Sequence, residues 1–126
     1  MADKIFYGVQ ALNPELKIVA GSFLPNGSSA VDSAGNTGTG FSVARTGTGS
    51  FTVTLEDKYP GLLSAQCSVA LAAAADTKVQ FGAIDVSSAK TVVITVITTA
   101  SAADIASNAA NRIHFVLFLR NTSLTK

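Results

Sequence analysis

Apolar and polar residues alternate along much of this chain with a period of two, the spacing of β-strands that bury one face. Within residues 40–46, Phe41 and Val43 share a face, and within residues 50–55, Phe51, Val53 and Leu55 do. Between them lies Gly47-Thr48-Gly49, whose glycines can adopt positive φ, so the pattern predicts a β-hairpin. A polar turn over residues 56–61 leads to a third strand over residues 62–71, where Leu63, Ala65, Cys67, Val69 and Leu71 alternate with Ser64, Gln66 and Ser68. The alanines 72–75 are too few for a stable helix and read as a strand end or turn. Residues 79–82 and 85–88 lead into 91–98, the strongest β-branched run, with Val92, Ile94 and Val96 inward and Thr91 and Thr95 outward. Residues 101–111, rich in Ala, Asn and Asp, read as a loop with one candidate helical turn capped by Ser101 and Asp104. Residues 112–120 close the pattern with Ile113, Phe115, Leu117 and Leu119 on one face and Val116 and Phe118 on the other. A strand apolar on both faces is either central in a layered core or divided between a core and an interface.

The first 40 residues read differently. Residues 5–9 and 18–24 can form strands, but residues 25–29 and 35–40 are polar and glycine-rich. Residues 1–36 are therefore a candidate N-terminal arm or loop-rich extension of one sandwich domain spanning residues 1–126. No internal repeat is visible. The expected fold is all-β: an antiparallel β-sandwich, of jelly-roll type.

Composition adds a constraint. Of 126 residues, 48% are hydrophobic and only 13% charged. A folded chain of this size exposes about 6,300 Å² of surface, over which so few charges are thinly spread, and symmetric association is the natural remedy. The net charge of +1 comes with no basic block, so no nucleic-acid footprint is expected. The N-terminus lacks an apolar core behind a basic start, and no stretch has the length of an apolar helical span, so synthesis in a cytoplasm and no membrane partner are expected. The glycosylation-type sequences at Asn26 and Asn121 read as turn and tail.

Candidate chemistry is sparse. Cys67, the sole cysteine, shares its face with Ala65 and Val69 and reads as a small buried hydrophobe; no local cation or helix start would activate it. His114 shares a strand face with Arg112 and Arg120, which could bind an anion or make a pH-sensitive contact, but a solvated or interfacial histidine is the favoured reading. Glu56, Asp57, Asp85 and Asp104 are the acids that would have to pair for hydrolysis or calcium binding, and they read as solvated turn residues. The Gly38-Thr39-Gly40 and Gly47-Thr48-Gly49 triplets precede no helix and read as hairpin punctuation rather than phosphate loops. No catalytic, metal-binding or dinucleotide motif is present, so neither catalysis nor a metal or cofactor is expected.

The run GTGFSVARTGTGSFTVTLEDKYPG, followed by short strands and a closing NRIHFVLFLRNTS, resembles the jelly-roll head decoration, or cement, proteins of tailed bacteriophages. Similar hairpins occur in trimeric phage fibre knobs and in C1q-like modules. The resemblance covers about residues 36–123 and rests on pattern and composition. It implies a virion protein, made in the host cytoplasm, that binds the outside of a capsid, commonly as homotrimers contacting the major capsid protein, and stabilises the shell without catalysis. The alternative is a trimeric fibre-tip or C1q-like receptor-binding module. Against a sugar-binding version stand the absence of tryptophan and the position of Tyr7 and Tyr59 outside the strongest strands. The residues expected to make subunit contacts are Arg112, His114, Val116 and Phe118, with Ile5, Phe6 and Tyr7 as candidate arm contacts.

Overall fold

The computed structural model describes residues 16–121. Among them are nine strands: β1 (Leu16–Phe23), β2 (Thr37–Gly38), β3 (Phe41–Gly47), β4 (Ser50–Leu55), β5 (Gly61–Ala70), β6 (Thr77–Asp85), β7 (Thr91–Thr98), β8 (Ser101–Ala102) and β9 (Arg112–Arg120). One antiparallel sheet runs β2-β1-β9-β5; the other runs β3-β4-β7-β6, with β8 paired to β7. Strands with one apolar face can bury it only against another layer, and here the two sheets pack on each other, giving the all-β antiparallel sandwich that the alternation predicts.

The core follows the pleat. Ile113, Leu117 and Leu119 of β9 face Phe51 and Val53 of β4 and Ile94 and Val96 of β7, all at 0% exposure. Each such side chain contributes about 1.5–3 kcal/mol by leaving water. Two aromatic pairs join the sheets: Phe23 of β1 meets Phe51 at 5.1 Å between ring centroids, and Phe41 of β3 meets Phe115 edge-on at 4.8 Å. The second pair depends on Gly21 in β1, where a Cβ would overlap the Phe41 ring and stand 2.6 Å from the Thr37 carbonyl oxygen.

Several expectations need correction. Leu63 does not share the inward face with Ala65 and Cys67: a bulge between Leu62 and Ser64 lets Leu62 pack on the core and leaves Leu63 41% exposed. The glycine-rich stretch before β3 is not merely loop. It holds a 3-10 turn (Ser33–Gly35), capped by Asp32, and then β2, which pairs with β1. β1 itself falls on the strand expected over residues 18–24 and pairs with β9 along its whole length. The candidate strand over residues 5–9 lies outside the described residues.

The segment 101–111 contains no helical turn. The chain reverses through Thr99 and Ala100, both left-handed at φ 48° and 71°, and Ser101–Ala102 pairs back on β7. Asp104 then caps no helix; its carboxylate receives the Arg45 guanidinium in a two-point contact (Nε 3.1 Å, Nη2 2.9 Å) and the Gly49 amide at 2.9 Å. The main-chain bonds of Gly49 explain why: its carbonyl accepts from Val96, while a Cβ there would lie 2.7 Å from the carbonyl oxygens of Val96 and Ala103, and its φ is +61°. The β3–β4 hairpin tip is thus clamped between β7 and the 103–104 segment. Arg45, followed by the Gly49 N–H, holds the Asp104 carboxyl below the usual carboxylate range.

Two outcomes test this account. L-residues in the left-handed region are strained by about 1–2 kcal/mol each, so Thr99→Asn with Ala100→Gly, the preferred pair for this turn, should raise stability by about 1 kcal/mol in chemical denaturation after the added flexibility of glycine is offset. A carboxyl with a depressed folded-state pKa contributes stability that is complete above its unfolded value and is lost as pH falls through the folded one. Wild type should therefore lose more stability than Asp104→Asn between pH 5 and about pH 2, read by thermal melts at each pH, with the variant less stable at pH 7.

Candidate functional site

β9 lies between β1 and β5, so both its backbone edges are paired, and its alternate side chains point to opposite faces of the sheet. Ile113, Phe115, Leu117 and Leu119 enter the core; Arg112, His114, Val116, Phe118 and Arg120 point outward. The register assembles the outward face in rows. Phe118 lies between Ile18 of β1 and Ser64 of β5; Val116 between Ala20 and Gln66; His114 between Ser22 and Ser68. Cross-strand neighbours at these positions stand about 4.5–5.5 Å apart, so the rows form one continuous surface. Its Phe118 end is apolar, with Ile18 45% and Leu63 41% exposed. Among the described residues nothing covers it.

The four residues expected to make contacts therefore share one face but differ in environment. Val116 and Phe118 are half-buried at the centre of the apolar rows, and His114 is exposed beside them. Arg112 lies along the sheet: its Nη1 donates to Ser22 Oγ at 2.8 Å, the Gly35 carbonyl at 3.0 Å and Thr37 Oγ1 at 3.3 Å, tying β9 to β1, β2 and the turn between them. Ile5, Phe6 and Tyr7 lie outside the described residues. The sequence pattern did not single out Ile18 or Leu63. Ile18 becomes visible only through its register with Phe118, and Leu63 only through the bulge.

A shallow depression of about 240 Å³ runs between β5 and β9 beside His114, lined by Gln66, Cys67, Ser68, Phe115 and Val116. Among the described residues no hydrogen bond joins His114 to a carboxylate that would orient it as a base. Burial pushes the Cys67 thiol up from its ordinary value, the opposite of what a nucleophile requires. A second hollow, about 320 Å³, lies near Thr77, Thr98, Asp104, Asn108 and Asn111. Its carboxylate is engaged by Arg45 and Gly49, and Asn111 Oδ1 accepts from the Ala72 amide at 2.8 Å. The remaining acids are dispersed: Glu56 and Asp57 are exposed in the β4–β5 turn, and Asp85 accepts from the Ser88 amide at 3.0 Å, a bond that with its neighbours lowers its pKa. Among the described residues no group of three or more His, Cys, Asp or Glu could hold a metal ion.

No family model, no curated protein and no solved structure matches this chain. The carboxylate of the second hollow is already engaged and the first is lined by none, whereas the outward rows of the β9 sheet carry an apolar patch at their Phe118 end, the kind of surface that marks interaction sites.

The thiol provides a check on the register that builds this face. Cys67 faces the core opposite Phe115, half-buried and raised in pKa. Iodoacetamide at pH 8 should label it several-fold more slowly in the native protein than in urea-unfolded chain; equal rates would mean that β5 is not packed in this register.

Proposed function

We propose that this chain is a non-catalytic structural protein of a virion, one that decorates the head of a tailed bacteriophage as a homotrimer and docks through the outward face of its β9 sheet. The observation that carries the reading is the uncharged apolar patch of Ile18, Ala20, Val116, Phe118 and Leu63 on that face. Burying such a patch contributes about 25 cal/mol per Å² of apolar area removed from water, so each copy binds modestly and many copies on a symmetric shell bind strongly together. The resemblance of residues 36–123 to head decoration proteins points the same way. Supporting it further, β1 and β9 are neighbours although they are the first and last described strands, and the chain changes sheet between β4 and β5 and again between β5 and β6, as jelly rolls do.

The opposite sheet is more polar on its outward side. The outward positions of β4 and β7 are Ser50, Thr52, Thr54, Thr91 and Thr95 with Val93 and Ile97 among them, so hydroxyls outnumber apolar side chains on those two strands. Its composition favours solvent.

The direct test is the copy number of this chain in particles sedimented from its source lysate, measured by quantitative mass spectrometry against the most abundant coat protein. A ratio within a few-fold of the coat is expected; a trace amount favours the fibre-tip or C1q-like module, and absence removes the virion reading. Phe118→Asp places a charge in the centre of the patch and should break subunit association without unfolding the sandwich; an unchanged native mass removes this face from the subunit interface.

A further inference from the structure

Among the described residues, the two-residue β8 aside, the strand orders end in four edge strands, and three of them carry features that discourage pairing with another chain. β2 has only the two residues Thr37 and Gly38. β3 bears Arg45 and a bulge between Arg45 and Gly47. β6 carries Lys78 and Asp85 and is bulged between Phe81 and Ile84. β5 differs. Its bulge lies at the start of the strand, and from Ser64 to Ala70 its register with β9 is unbroken. That stretch, Ser-Ala-Gln-Cys-Ser-Val-Ala, holds no charge, no proline and no glycine.

Its side chains also show what is missing beside it. Ala65, Cys67 and Val69 point toward the core yet stay half-buried, while their β9 partners Leu117, Phe115 and Ile113 are 0–4% exposed. This flank of the core thus keeps partial exposure, next to a row of backbone groups on β5 that no strand pairs among the described residues. An occupant must be an extended strand that repeats the same alternation, small and polar outward, apolar inward.

We infer that the edge of β5, unpaired among the described residues, is a strand-addition site for β5 of a second copy of this chain, paired antiparallel about a two-fold axis. Full overlap of Ser64–Ala70 with itself places Cys67 opposite Cys67 of the second copy, Gln66 opposite Ser68, Ala65 opposite Val69 and Ser64 opposite Ala70. Every pair then matches inward with inward and outward with outward, as the pleat demands. Because the stretch is uncharged, no like charges oppose one another, which self-pairing of β6 would not ensure. The result is one continuous sheet through both copies and an isologous contact. The inference does not depend on the phage reading or on the Phe118 face.

The test uses the full chain and native mass spectrometry. Wild type should give species with an even number of chains. Gln66→Lys with Ser68→Lys sets lysine against lysine at the two central outward pairs and should abolish those species, whereas Gln66→Lys with Ser68→Glu sets lysine against glutamate and should restore them. Both positions are exposed, and unchanged melting curves would show that the variants fold. Phe118→Asp should leave the two-chain unit intact. The inference is overturned if wild type shows no even-numbered species, if the double-lysine variant keeps them, or if the lysine–glutamate variant fails to recover them. Loss of the two-chain unit in Phe118→Asp alone would assign the contact to the face instead.

Discussion

The rest of the molecule depends on the double-sided character of β9. Pairing with β1 and β5 on its two edges holds this strand at an interior place in its sheet. One set of its alternating side chains then fills the layer between the sheets, where Ile113, Leu117 and Leu119 are fully enclosed. The other set is left on the opposite side, because a two-layer sandwich has no third layer to cover it. Core stability and an outward apolar surface thus arise from the same nine residues. Arg112, at one end, takes its place through neutral acceptors on the β1–β2 connection, which anchors the sheet where the apolar rows give way to polar ones.

The second constraint is backbone satisfaction at the loop end of the other sheet. The hairpin tip at Gly49 approaches Val96 and Ala103 too closely for a side chain, and its amide needs an acceptor there. Asp104 supplies one while neutralising Arg45, whose side chain sits only 18% exposed. One carboxylate thereby joins β3, the β3–β4 turn and the segment after β8. The same engagement removes Asp104 from any chemistry in the neighbouring hollow. The two contacts proposed for this sandwich both use surface: the apolar rows of the β9 sheet and the uncharged edge of β5. The first is flat and suited to side-chain packing, the second linear and suited to main-chain hydrogen bonds.

Much of this architecture was legible from local pattern. The faces of β4, β7 and β9 follow directly from alternation, and the Gly47-Thr48-Gly49 hairpin from turn chemistry, because a half-buried strand leaves a period-two record whatever its partners. The bulge in β5 left no such record: Leu62 and Leu63 are the same residue type, and choosing which one faces inward requires the pairing with β9. β8 was hidden for a different reason. Its turn uses Thr99 and Ala100 rather than residues that favour positive φ, so the hairpin signal is absent even though the hairpin forms.

By itself, the sequence determined the fold class, the inward face of the principal strands, and the presence on β9 of more apolar surface than one core face needs. Those are properties of neighbours along the chain, recorded in spacing and residue type. Only the tertiary structure decided that Ile18 joins Phe118, that Asp104 serves the Gly49 turn instead of a helix, and that β5 is left at an edge. Each of these depends on register and strand order, which bring together residues tens of positions apart and are not encoded in any local window.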